Sequence, residues 1–467
     1  MTARLTPPAQ LVERILDASR AEDCIAVVEE DSQVEVRFAN NTTTTNGVRR
    51  LRRVTAMSIT ATSGALSVGV ESRSGEPDVE ALVRASEGAA SASPPAEDAV
   101  PLLGAGEGDG GGGSAFEEPA PLTDLSVLRG VLDGLAGAFE RARSRAHVLS
   151  GFATHELTTV YVGTSAGLRA RHQQPTGSLE LVARSTDGAR SAWAGRGTEW
   201  FEGLDLDGLH RNLERRLDWA ERRLELPAGR YETLLPPDAT ADLMIFLYGD
   251  LSGRDAEDGR SVFSAPGGGT RVGESITDLP VELRSDPREP GLESIPFLVT
   301  TASGSDVSVF DNGLPLARTS WIEEGRLERL FYHRAGAARS QVAPAVPADN
   351  LVLEIPGATA SLEEMVARTR KGLLLTCLWY IRTVDPVTAL LTGLTRDGVY
   401  LVEDGEVVGA VNNFRFNESP VELLSRIAEA GASERAFSRE SGEYMNRTSM
   451  PPLRVPDFNM SSVSPAT

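Results

Sequence analysis

GVYLVEDGEVVGAVNNF, residues 398–414, alternates apolar and polar or small residues on both sides of an Asp-Gly pair. Alternation is the period of a half-buried strand, and Asp-Gly tolerates the positive φ values that a two-residue hairpin turn requires. The stretch therefore predicts two antiparallel strands joined at Asp404-Gly405. Asp397-Gly398 and Asn312-Gly313 sit between similar runs and predict further hairpins. SVFS, IPFLVTTAS and VSVFDNGLPLART extend the pattern back to residue 261, so the second half is expected to be β-rich and barrel-like. One helix interrupts it: SLEEMVARTRKG, residues 361–372, opens with a Ser361–Glu364 capping box and stops at glycine.

The first half mixes the two periods. Leu11, Ile15 and Ala18 share one face of a helix over 10–21. Extended runs punctuated by NNTTTTNG and SG follow, then helices over 78–92, 125–143 and 207–223, with extended chain between 147 and 185. Residues 93–121 are so rich in Gly, Pro and Ala that a mobile surface loop is expected. The fold class is α+β with two domains. Residues 1–225 form an N-terminal α/β sandwich-like domain, and 226–467 a β-rich C-terminal domain.

Composition narrows the function. The chain has 467 residues with Asp plus Glu at 67 against Lys plus Arg at 46, a net charge of -21. Such a surface repels a phosphate backbone, and the best basic stretch, GVRRLRRVTA (47–56), fits the solvated face of a strand, so no nucleic-acid partner is expected. The longest apolar run, GLLLTCLWYI (372–381), is about half of what a membrane span requires. With no apolar leader and only Cys24 and Cys377, a cytoplasmic chain without disulfides is expected. Lys371 is the only lysine, which leaves little room for Schiff-base or P-loop chemistry.

Four local motifs invite chemistry, and the bland reading is preferred for each. Gly163–Gly167 fits G-x-S-x-G, but LRARHQQ after it alternates like a return strand, so a turn is expected. His155-Glu156 lacks a second histidine at zinc spacing, and the other histidines (147, 172, 210, 333) show no ligand pattern. APGGGTRVGES (265–275) lacks the lysine of a phosphate loop. FLYGDLSGRDAEDG (246–259) has four acidic residues at spacings that fail the calcium-loop pattern, so a helix end and solvated turn are expected.

SVFSAPGGGTRVGE (261–274), DNGLPLARTSW (311–321), GLLLTCLWYIRTVDPVT (372–388) and GAVNNFRFNESP (409–420), with LRVPDF (453–458), resemble the TldD/PmbA family, the so-called modulators of DNA gyrase. The resemblance implies a paired metallopeptidase. In the TldD-like subunit an H-E-x-x-x-H helix and a cysteine near the C-terminus hold zinc, and the TldE/PmbA-like subunit lacks the motif. Here the helix before SVFS reads ADLMIFLYGDLSG, no histidine lies between His210 and His333, and EYMNRTSMPPLRV (443–455) has no cysteine. The resemblance therefore implies the zinc-free subunit, with no catalytic residue and no cofactor of its own. Zinc is expected in a TldD-like partner. The substrate would be an extended peptide or amide-bearing molecule inside the heterodimer, and cleft-facing groups are expected at Asp311, Asn312, Asn412, Asn413 and Arg415. Two alternatives stand beside it: a subunit of a paired hydrolase in natural-product or modified-peptide biosynthesis, and a regulatory protein-binding module.

Overall fold

The computed structural model describes residues 5–62, 64–107 and 115–464. Its first sheet is antiparallel throughout and contains β1 (Asp23–Ala39), β2 (Thr42–Thr62), β3 (Ala65–Ser74), β4 (His147–Thr164), β5 (Arg169–Ser185) and β6 (Ser191–Thr198), in the order β3-β2-β1-β4-β5-β6. Side chains alternate across it, as the strand period requires. Ala26, Val28, Val34 and Val36 point to one face, which is covered by α1 (Pro8–Ala18), α2 (Val79–Ala92), α3 (Arg129–Ser144) and α4 (Leu206–Trp219). Ile25, Val27, Met57 and Val162 point to the other and pack against Phe297, Val309 and Phe310 from the second half of the chain. One face meets helices and the opposite face meets the C-terminal region, which is the sandwich-like arrangement expected.

The remaining strands form two sheets. They are β7 (Arg223–Leu224), β8 (Gly229–Leu235), β9 (Glu282–Ser285), β10 (Thr319–Glu323), β11 (Arg326–Leu327), β12 (Leu351–Glu354), β13 (Lys371–Leu375) and β14 (Leu378–Asp385), then β15 (Leu390–Thr395), β16 (Val399–Glu403), β17 (Glu406–Val411), β18 (Phe414–Glu418), β19 (Glu429–Ala430), β20 (Glu434–Ala436), β21 (Thr448–Met450) and β22 (Leu453–Val463). The larger sheet runs β14-β15-β18-β22-β8-β13-β16-β17-β7, with β19 beside β22, and the smaller runs β11-β10-β9-β12-β21-β20. Neither closes on itself, so the barrel-like expectation resolves into open sheets around one apolar core. The helices of this half are α5 (Pro237–Gly249), α6 (Gly253–Glu257), α7 (Arg334–Ser340), α8 (Leu362–Ala367) and α9 (Pro420–Ser425). Among the described residues no helix is long and apolar enough to cross a membrane.

Local expectations divide by turn chemistry. Asp404-Gly405 joins β16 to β17 with both residues at positive φ, as a hairpin turn requires. Asp397-Gly398 does not make a hairpin. β15 pairs with β14 and β18, β16 pairs with β13 and β17, and the dipeptide connects strands that are not neighbours. Asn312-Gly313 ends a single 3-10 turn, Val309–Asp311, rather than a strand. The capping box at Ser361 and Glu364 is formed, but its helix ends at Ala367 because Lys371 and Gly372 enter β13.

The Gly/Pro-rich segment is only partly the loop expected. Residues 108–114 lie outside the described residues. The flanks are pinned to the first sheet: Leu102, Leu103 and Phe116 are buried, Thr164 Oγ1 donates to Leu103 O at 2.8 Å, and Tyr161 Oη donates to Glu118 O at 2.6 Å. A few apolar anchors outweighed the composition of the segment.

Candidate functional site

Helix α5 begins with Pro237 at its first turn, a position where the missing N–H costs nothing, and is almost wholly buried. Two aspartates sit one turn apart on it. Asp238 Oδ1 accepts from the Phe437 N–H at 2.8 Å, and Asp242 Oδ1 accepts from Ser438 Oγ at 2.6 Å and from the Glu440 N–H at 3.1 Å. Burial pushes the Asp242 carboxyl up to about 7 and raises Asp238 as well. Asp242 Oδ2 is buried without a partner. The helix thereby holds the loop after β20 against itself.

The next residue of that loop crosses to the first sheet. The Arg439 guanidinium lies 5.3 Å from the Trp193 ring of β6 and 5.0 Å from the Trp379 ring of β14. Its Nη1 donates to Asp397 Oδ2 at 2.6 Å and to Cys377 Sγ at 3.1 Å. Ser191 Oγ of β6 donates to the other Asp397 oxygen. Phe437 stacks on Trp193 at 6.3 Å. Gly195 makes this approach possible, since a Cβ there would stand 2.3 Å from Phe437 Cδ1. Glu440 then fastens β14, accepting from the Tyr380 N–H and from Arg382 Nη1, each at 2.9 Å. The result is a polar junction between the two halves of the chain.

These donors do not fit a zinc ion. A catalytic zinc needs three protein ligands and an open position. Burial pushes the Cys377 thiol up to about 12, so it stays protonated, and a guanidinium occupies the space between it and Asp397. Asp238 Oδ1 and Asp242 Oδ1 face loop donors instead. Among the described residues no group of three or more His, Cys, Asp or Glu could hold a metal ion.

The five residues named from the sequence fall in two places. Asp311 is fully buried and receives Arg334 Nε at 2.6 Å and the Arg334 N–H at 2.9 Å. Asn312 is buried too, and its side chain binds Thr300 O and Val309 O at 2.8 Å and the Thr300 N–H at 2.9 Å. Both brace the segment that carries Val309 and Phe310 against the first sheet. The other three lie at the large sheet, Asn412 and Asn413 in the link between β17 and β18 and Arg415 on β18. Asn412 Oδ1 accepts from the Leu226 N–H at 2.8 Å, Asn413 Oδ1 from Thr395 Oγ1 at 3.2 Å, and the exposed Arg415 donates to Thr392 Oγ1 at 3.3 Å. Sequence reasoning missed Asp242, Arg439 and Trp193. A signal existed for the first, since an aspartate within ATADLMIFL is a polar group in an otherwise buried helix.

The tempting motifs are structural. Ser165 of the G-x-S-x-G stretch donates to Asp23 Oδ1 and accepts from the Cys24 N–H inside the β4–β5 turn, as expected for a turn. His155 is buried, bonded to Thr123 Oγ1 at 2.7 Å and packed on Trp200. His333 caps α7. In the acidic window α5 ends at Gly249 and a further short helix, α6, follows. Asp255 and Asp258 pair with Arg260, while Glu257 accepts from Tyr332. In the basic stretch, Arg52 departs from a solvated face: it is buried between Glu30 and Glu76.

Comparison with known proteins agrees with this architecture. A family model described as the PmbA/TldA metallopeptidase C-terminal domain matches residues 228–462, and one described as the central domain matches 120–221. No curated protein sequence matches the chain. Among solved structures, TldE from Thermococcus kodakarensis superposes with a TM-score of 0.78 at 17% identity, covering 96% of this chain and 98% of that one. A protein described as a modulator of a DNA gyrase from Thermotoga maritima MSB8 gives 0.76 at 16% identity, covering 96% and 99%. A similarly described protein from Bacteroides thetaiotaomicron gives 0.71 at 16% identity, covering 98% of each. The chain belongs to the PmbA/TldD metallopeptidase family.

Proposed function

We propose that this chain is the zinc-free, TldE/PmbA-like subunit of a paired metallopeptidase, walling the chamber in which a TldD-like partner cleaves peptides or unfolded proteins. The observation that carries the reading is how α5 is used. The helix preceding SVFS, where the family resemblance expects H-E-x-x-x-H, carries Asp238 and Asp242 instead, and both are bonded to the loop after β20. No histidine occurs between 210 and 333 and no cysteine after 377. The helix and the C-terminal loop that would provide the zinc ligands hold each other instead. A cytoplasmic setting belongs to this reading, and the two free, buried cysteines fit it.

The test measures zinc content and peptidase activity for the chain alone and after co-expression with a TldD-like neighbour. Zinc and cleavage appearing only in the co-purified pair is the expected result. Stoichiometric zinc in the isolated chain would overturn the proposal. The same architecture could serve leader-peptide trimming in natural-product biosynthesis, and activity of the pair on modified precursor peptides rather than unfolded protein separates the two.

A further inference from the structure

Between α4, β6, α8 and β20 lies a cleft of two adjoining cavities of about 450 and 250 Å³ that share Arg196, Asn212 and Arg435. The larger volume falls in the range of small-ligand sites, roughly 300–1,000 Å³, and the smaller lies just below it. Among the described residues three arginines on its wall make no salt bridge, although Asp238 acts on Arg196 and Arg216, Glu434 on Arg196, and Glu199 and Glu293 on Arg435 at longer range. Arg216 is 8% exposed, and its one hydrogen bond runs from Nη1 to Trp193 O at 2.6 Å. Arg196 Nη1 donates to Arg435 O at 2.9 Å. Arg435 donates from Nη1 to Gly291 O, while its Nε and Nη2 are buried without a hydrogen-bond partner. Most buried polar groups are satisfied, so such an orphaned guanidinium requires an explanation. Here acidic residues exceed basic ones by 21, which makes one buried and two half-buried arginines without a salt bridge still more anomalous.

The rest of the wall says which anion fits. Asp238, Glu363 and Glu434 also face the smaller cavity, and Glu363 stands 3.9 Å from Arg215 at its rim. Three carboxyls oppose a dianionic phosphate more strongly than a single carboxylate. Leu362, Val366, Leu374, Val407 and Trp219 supply an apolar surface for the body of the ligand. Guanidinium groups match a carboxylate in shape and charge.

We propose that the cleft binds the free C-terminus of a peptide ending in an apolar residue. The terminal carboxylate meets Arg196, Arg216 and Arg435, its side chain occupies the smaller cavity, and the preceding residues extend through the larger one. Such a site favours a chain end over an internal segment. It does not depend on pairing or on zinc.

The test is calorimetric titration of the isolated chain with acetyl-Ala-Ala-Leu and with the same peptide as its C-terminal amide. The free acid should bind at least about ten-fold more tightly, the equivalent of one charge-assisted contact. Arg196→Gln and Arg435→Gln should each weaken the acid by a similar factor and leave the amide unchanged, with the Arg339→Gln surface variant as control. Equal binding of acid and amide, no saturable binding at millimolar concentration, or inorganic phosphate binding as tightly as the acid would each overturn the proposal. The acid-to-amide comparison needs no variant, so misfolding of an arginine variant cannot obscure it. Since it uses the isolated chain, a failure here leaves zinc content and cleavage by the pair unaffected.

Discussion

Ser438 donates a 2.6 Å hydrogen bond to Asp242, joining the loop after β20 to helix α5 across 196 positions of sequence. Asp238 repeats the contact one turn earlier through the Phe437 N–H. The loop is fixed by an acid–donor ladder that needs no metal, and the position of every residue from 437 to 440 depends on it.

Asp242 makes that ladder sensitive to pH. Its carboxyl rises from 3.8 to about 7 because burial disfavours the charge. The folded state therefore holds a proton that the unfolded chain has released, and the contribution is fully present below about 4. It declines as pH rises toward 7 and is lost above that. At about 1.4 kcal/mol per unit the loss is on the order of a few kcal/mol. Asp242→Asn keeps an accepting Oδ1 and removes the titration, so urea unfolding should show a flatter stability profile between pH 4 and 7 and higher stability than wild type at pH 8. Parallel profiles for the two proteins would sink this account.

Arg439 is a test of buried charge. Its side chain is 12% exposed and that of Asp397 7%. Arg439→Met leaves Asp397 with only Ser191 and the more distant Arg396, 3.6 Å away and 40% exposed, and should cost about 3–5 kcal/mol. Pairing it with Asp397→Asn removes the stranded charge and should recover most of that loss. A double variant as unstable as the single one would mean that the stacking on Trp193 and Trp379, not the ion pair, dominates.

Two glycines should respond in opposite directions. Gly195→Ala drives a methyl into Phe437 and Trp193, and overpacking of this kind costs about 1–3 kcal/mol. Gly88 sits inside α2 with open space around a built Cβ, so Gly88→Ala should stabilise by about 0.4–1 kcal/mol through the unfolded chain. Denaturant midpoints on the two variants decide both.

Much of the fold was legible in the sequence because period and capping act locally. The helix at 10–21 and the strands around Asp404-Gly405 follow from side-chain alternation and turn residues alone. Asp397-Gly398 was misread because its backbone suits a hairpin while its neighbours pair elsewhere, and nothing local records that β16 joins β13. The junction at Arg439 was illegible for the same reason: Trp193, Cys377, Asp397 and Arg439 are far apart in sequence. Only the tertiary fold brings them together.

The residues named from the family-like blocks can be sorted by one pair of variants. Asn312→Ala strips one buried and two part-buried hydrogen bonds, leaving Thr300 O and N–H without this partner, and should cost about 2–4 kcal/mol. Arg415 is exposed and makes one weak bond from its side chain, so Arg415→Ala should change stability by less than about 0.5 kcal/mol. If Arg415 faces peptide in the assembled pair, the same variant should raise KM for an extended substrate while kcat and the melting temperature hold. Asn312→Ala should instead lower the melting temperature and reduce the yield of assembled pair, with the kinetics of what assembles unchanged. Loss of kcat from Asn312→Ala in a fully assembled, thermally intact pair would place that residue in the chamber after all.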